Sequence, residues 1–166
     1  MAEALPPQVA QLIPTLQSWG NNPILIEAVK TSNARAESLE AIKRRDAEWR
    51  QIEGLDDEMK AMMNSPAAQQ LSKYERSAPY FFEIFLMNNQ GANVAMTNKT
   101  SDYWQGDEAK WQESFKGGKG AVHVGDVQFD ESVEDYLLQI SVPVMSEGHA
   151  IGAITVGVNL DVLEGR

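Results

Sequence analysis

The residues best placed to do chemistry lie together between Thr97 and Phe115, in the run TNKTSDYWQGDEAKWQESF. Two of the chain's four tryptophans, Trp104 and Trp111, fall here beside Tyr103, and polar residues alternate with the aromatic ones. Small-molecule sites are mostly apolar and aromatic with a few placed polar groups, and this stretch offers that mixture. Tyr103, Trp104 and Trp111 are therefore the expected walls of a ligand pocket. Aromatic faces also attract cations, and Asp107 or Asp130 can supply the opposing charge. A second reading stays open for all three: Trp111 shares a helical face with Phe115 and both rings could simply be core, and Tyr103 and Trp104 could also be packing residues.

Nothing in the chain suggests covalent or metal chemistry. Cysteine is absent, which removes thiolate catalysis, thiolate-bound zinc and iron–sulfur clusters together. There is no G-x-S-x-G turn, and GGKG at 117–120 lacks the length and the trailing Ser or Thr of a phosphate loop. His123 and His149 are far apart, without partners at zinc-ligand spacing. Asp126, Asp130, Glu131, Glu134 and Asp135 could hold calcium, but their spacing departs from an EF-hand loop, and a solvated acidic loop is the competing reading. Met59, Met62 and Met63 read as adaptable packing rather than soft-metal ligands. The expectation is a binding module and not an enzyme, with no catalytic residue, no cofactor and no metal.

Bulk properties narrow the partners. A chain of 166 residues suits one domain. A formal charge of −10 argues against nucleic acid, which needs clustered Lys and Arg, and against an anionic membrane surface. No apolar run approaches the ~18 residues of a membrane span. The opening MAEALPPQ has neither the basic nor the apolar region of a signal peptide. Two placements fit: a cytoplasmic chain, or an extracytoplasmic piece without its flanking segments.

The elements that must position the aromatic run follow from periodicity. Val9, Leu12, Ile13, Leu16 and Trp19 predict a helix ending at Gly20, with Pro14 kinking it or moving its start. Asn22-Pro23 starts a second helix, Ser38 to Ile52 forms a third, and Ser65-Pro66 caps another after a short methionine-bearing turn. From Tyr80 the period becomes two: YFFEIFLMN is a strand with Phe82, Ile84 and Leu86 on one face, NNQG a hairpin turn, and ANVAMT the return. A helix from Asp107, its N-cap, to Phe115 follows, then AVHV, the acidic loop, VEDYLLQISVPVM and AIGAITVGVNL as three further strands. Gly152 and Gly157 in the last strand mark bulges or a close approach to the backbone. On the fourth strand, Tyr136 shares a face with Leu138 and Ile140, and Gln139 and Ser141 share the other with Leu137; either could face a pocket. Consecutive hairpins predict a five-stranded antiparallel sheet with the N-terminal helices on one face, an α+β fold. A helical segment (1–79) and a sheet-forming segment (80–166) would make up one domain.

Three passages resemble the single Cache domains, extracytoplasmic PAS-like sensor modules of bacterial receptors. They are FLMNNQGANVAMTNKTSDYWQGDEAKW, FDESVEDYLLQISVPVMSEGHAIGAITVGVNL, and the helical half with LQSWGNNPIL and a later Asp46-x-x-Trp49. The resemblance runs from about Val9 to Leu160. It implies a PAS-like sheet that senses a small extracellular ligand for a histidine kinase, chemoreceptor or cyclic-dinucleotide enzyme. It also implies a periplasmic location, membrane spans flanking the chain, and a homodimer along the N-terminal helix, for which the Val9 to Trp19 stripe is the candidate surface. By the same resemblance Asp130 and Tyr136, ahead of the V-P-V passage, join the expected ligand-binding residues Tyr103, Trp104, Asp107 and Trp111. The loop TSDYWQGDEAKW lacks the arginine common in the family's carboxylate binders, which argues against a simple carboxylate ligand. The alternative is a PAS-like domain without ligand that serves dimerisation.

Overall fold

A computed structural model describes residues 5–165. Five helices come first: α1 (Pro7–Trp19), α2 (Pro23–Ala34), α3 (Leu39–Gln51), α4 (Asp57–Asn64) and α5 (Pro66–Arg76). Their starts are chemically marked. Asn22 Oδ1 accepts from the Ile24 amide at 2.8 Å, Ser38 Oγ from Ala41 at 3.1 Å and Ser65 Oγ from Ala68 at 3.2 Å. Pro14 lies within α1 and does not divide it. The methionine turn expected between α3 and α5 is itself helical: Asp56 caps α4 by accepting from the Met59 amide at 2.9 Å.

Two strands, β1 (Phe81–Met87) and β2 (Asn93–Met96), precede the short helix α6 (Ala109–Phe115). Then come β3 (His123–Val124), β4 (Gln128–Asp130), β5 (Asp135–Ser146), β6 (His149–Asn159) and a final turn of helix, α7 (Leu160–Leu163). The fold is α+β, with an open antiparallel sheet of six strands rather than five; the extra one, β4, pairs with β5 inside the acidic segment. The β5–β6 hairpin turns at Glu147 and Gly148, both at positive φ (52° and 81°), which matches the twist of the strands it joins.

The strand order is β2-β1-β6-β5-β3 and not a run of consecutive hairpins. The first and last strands, β1 and β6, pair at the centre. Residues 97–122 must therefore carry the chain from one edge to the other. That crossing lays α6 against β5 and β6.

One face of the sheet is covered by α1, α2 and α5. Ile84 and Leu86 of β1, Leu138, Ile140, Val142 and Val144 of β5, and Ile154, Val156 and Val158 of β6 pack there with Leu16, Trp19, Leu25 and Leu71. Val9, Leu12, Leu16 and Trp19 are spent on this core, with Leu16 fully buried and Trp19 stacked on Tyr74 at 4.2 Å. The stripe proposed as a dimer surface is thus internal, and only the opposite side of α1 faces outward. A second core joins Ile42 and Trp49 of α3 and Met59 of α4 to Phe85, Met87, Met96 and Tyr103.

A bulge at Glu83 (φ 36°) breaks the alternation of β1. Phe82 consequently does not share a face with Ile84 and Leu86, as strict alternation predicts. It points to the opposite side, opposite Gly157 of β6.

Candidate ligand-binding cleft

The sheet face turned away from α1, α2 and α5 is polar where it meets α6. Across the strands, Met96, Phe85, Thr155, Ser141 and His123 are register partners in one row. Ser141 and Thr155 are fully buried and their hydroxyls hydrogen-bond at 2.8 Å, which offsets the cost of taking the two groups out of water. The next row is Phe82, Gly157 and Gln139. A Cβ at Gly157 would come within 2.5 Å of the Phe82 carbonyl and 2.8 Å of its ring, so glycine is what lets Phe82 lie flat on the sheet. Gly152 serves a similar approach on the helical side, by Val29 and the Met87 carbonyl. Both glycines fit the close-approach expectation, and the register of β6 against β5 also shifts beside Gly152, where Val144 pairs with Gly152 and Met145 with Ala150.

Between this floor, the start of α6 and the strands β3 and β4 lies a cleft of about 680 Å³. Gln139 and Phe82 form its floor, Ala109 and Lys110 its α6 wall, His123 and Gly125 one side, and Phe129 and Asp130 the outer rim. Leu138 and Ile140 pack under the helices, so Leu137 and Gln139 present the opposite face of β5, and Leu137, Leu138 and Gln139 all border the cleft. Lys110 Nζ stands 3.2 Å from Glu108 and 5.7 Å from the Phe85 ring. With that lysine matched by Glu108, the carboxylates of Asp126, Asp130 and Glu131 leave the cleft net negative. Asp130 accepts from the Ser132 hydroxyl and amide (2.5 and 2.8 Å), and these bonds hold its carboxyl below the usual range, ionised at neutral pH. Ser114, on the buried side of α6, carries a hydroxyl with no hydrogen-bond partner among the described residues.

The structure disperses the six residues expected at the site. Asp130 lines the cleft. Tyr136 is exposed at the end of β5, its ring 5.1 Å from that of Phe129, which does line it. Asp107 is exposed just before α6, and the helix begins two residues later, with Glu108 at the N-cap position. Two of the three aromatics hold backbone: Trp104 Nε1 donates to the Gln90 carbonyl at 2.8 Å and Trp111 Nε1 to that of Asn88 at 3.0 Å, both in the β1–β2 turn. Trp111 stacks on Phe115 at 5.0 Å. Tyr103 is buried beside Trp49, its hydroxyl donating to Glu37 at 3.1 Å, and burial among these groups raises its pKa. The loop itself is anchored by α3. Asp46 Oδ1 accepts from the amides of Tyr103 and Trp104, each at 3.0 Å, and Trp49 Nε1 donates to the Thr100 carbonyl at 2.8 Å.

Lys110, His123 and Phe82 were not among the expected site residues, and Gln139 stood on one of the two β5 faces left open. Alternation in β5, which puts Leu137 and Gln139 on one face, was the available signal. Only the bulge and the edge-to-edge crossing decide which side they serve.

No protein-family model and no curated protein matches the sequence. Solved structures do resemble the chain. A ligand-binding domain of a Pseudomonas aeruginosa amino acid chemoreceptor, in complex with GABA, aligns at TM-score 0.43 and 12% identity over 95% of this chain and 64% of that one. The sensor domain of the Vibrio cholerae histidine kinase DctB aligns at TM-score 0.47 and 13% identity over 95% and 54%. A sensory domain of a Campylobacter jejuni chemoreceptor, with isoleucine bound, gives 0.41 and 14% over 98% and 67%. All three are sensor or ligand-binding domains. The chain spans 54% to 67% of their lengths, and at these identities the likeness names no ligand for it.

Proposed function

We propose that this chain is an extracytoplasmic, single-Cache-like sensor domain of a bacterial membrane receptor, and that it binds its ligand in the cleft between α6 and the β5–β6 face. The supporting observation is the cleft itself: a recess of small-molecule size, floored by the Phe82–Gly157–Gln139 row. Its acidic lining favours a ligand with a positively charged group, and Phe82 and Phe129 supply aromatic surface for it.

Binding would draw α6 toward β5 and β6. Since β6 lies between β5 and β1, such a shift bears on the centre of the sheet and on the helices behind it. The ligand biases the receptor only through its differing affinity for the two arrangements. In a homodimer, the outward side of α1 would form the contact. Among the described residues no helix is long and apolar enough to cross a membrane, so anchoring would be by segments flanking the domain.

A thermal-shift screen of the purified domain against primary and quaternary amines, short carboxylates and divalent metals tests the reading. Stabilisation by an amine is the expected result. Stabilisation by carboxylates alone would overturn the charge argument, and an absence of any stabilising compound would favour a dimerisation module.

A further inference from the structure

The exposed apolar side chains are not scattered evenly over the surface. Val127, Phe129, Val133 and Tyr136 fall close together in the sequence, and each is about half exposed. Phe129 and Tyr136 are register partners in the β4–β5 hairpin, with their rings 5.1 Å apart. Val127 immediately precedes β4, and Val133 lies in the turn. Tyr136 shares its strand face with Leu138, yet Leu138 is 4% exposed and Tyr136 48%. The helical layer that buries Leu138 therefore stops there and leaves the hairpin bare beyond it.

The same hairpin ends the sheet. Among the described residues β4 pairs with β5 and with no other strand. The Gln139 carbonyl accepts from the Gly125 amide at 2.8 Å, while the Tyr136 amide turns the other way and donates to Asp161 Oδ2 at 2.8 Å. Leu137 and Asp135 thus turn their backbone groups toward Gln128 and Asp130. The Phe129 N–H and C=O consequently point out along the open edge. Such an edge is a template for another strand, and its charge decides which strand. Between Lys119 and Arg166 the sequence has no Lys or Arg. Asp126, Asp130, Glu131, Glu134 and Asp135 make no ion pair among the described residues, whereas Asp46, Glu48, Asp56 and Glu58 gather round Arg45 and Arg50.

We infer that the open edge of β4 is a docking site for an extended, basic segment of another protein, added as a further strand. Main-chain bonds to Phe129 hold the added strand, its alternate apolar side chains cover Val127 and Tyr136, and Lys or Arg between them meet the carboxylates. A second copy of this chain is a poor occupant, because pairing edge to edge would set these carboxylates against their own copies. An anionic membrane surface and a nucleic acid are repelled for the same reason. The inference rests on the hairpin and does not depend on the cleft being a sensor site.

The test is an NMR titration of the isotope-labelled domain with a blocked synthetic peptide that alternates lysine with valine and tyrosine. The amides of Phe129 and Val133 should shift saturably, with a Kd below about 1 mM. Affinity should fall at least about tenfold when glutamate replaces the lysines, and equally when alternate peptide nitrogens are methylated and can no longer pair as a strand. The same loss is expected in the double variant Val127→Lys, Tyr136→Lys, whose positions are exposed and outside the cleft. Binding should persist in Gln139→Lys, which charges the cleft floor and leaves the hairpin unaltered. Silence of Phe129 and Val133 would overturn the inference, as would undiminished affinity for the methylated peptide or in the double variant. A response confined to Gly125 and Gln139, or loss of binding in Gln139→Lys, would overturn it by placing the peptide's lysines in the cleft. Concentration-dependent shifts of Phe129 and Val133 in the free domain would also overturn it, and would make a second copy the occupant.

Discussion

Asp46 shows how a single side chain sets up the loop over the sheet. It is 8% exposed, receives two loop amides on one oxygen, and pairs its other oxygen with Arg50 at 3.3 Å. Asp46→Ala would strand both amides, at a cost of about 2–4 kcal/mol. Asp46→Asn keeps an acceptor at the same place and should lose clearly less. Chemical denaturation of both variants checks this, and equal losses would show that the two amides find other partners. The sequence placed Asp46-x-x-Trp49 on a helix but could not show what it holds, since its partners lie 51 to 58 residues away. Tyr103, Trp104 and Trp111 illustrate the same limit. Their clustering was visible, whereas the carbonyls that take up the two indole N–H groups come from a turn on the far side of β2.

At the level of elements, capping and periodicity made most helices legible, because Asn22-Pro23, Ser38 and Ser65-Pro66 act locally. The exception, α4, has only eight residues, and its cap Asp56 does double duty. Asp56 receives the Met59 amide and pairs with Arg45 at 2.8 Å, and the amide bond first, then the arginine, lowers its pKa. A depressed carboxylate pKa gives stability that is present above the unfolded value, about 3.9, and is lost as pH falls through the folded value. Asp56→Ala should therefore cost about 1 kcal/mol at neutral pH. The difference from wild type should shrink below about pH 3.9. Urea midpoints measured at neutral and acid pH test it, and a penalty that persists in acid would assign the effect to packing. The bulge at Glu83 had no local signature: a glutamate at positive φ gives the sequence no reason to break alternation.

For the whole molecule, the α+β class was legible from the change of period at Tyr80, but the strand order was not. Hairpins are local; the pairing of β1 with β6 joins residues more than 60 apart. That pairing forces the 97–122 segment across the sheet and so creates the cleft. Its shape and its charge therefore belong to the topology rather than to any motif. The most direct test of the central claim is calorimetric titration of the best-stabilising amine into the wild-type domain and into Gln139→Lys, which places a cation on the cleft floor. One saturable site is expected in the wild type, with affinity at least tenfold weaker in the variant, or about 1.4 kcal/mol. Equal affinity in a folded Gln139→Lys domain would contradict the account and move the ligand out of the cleft.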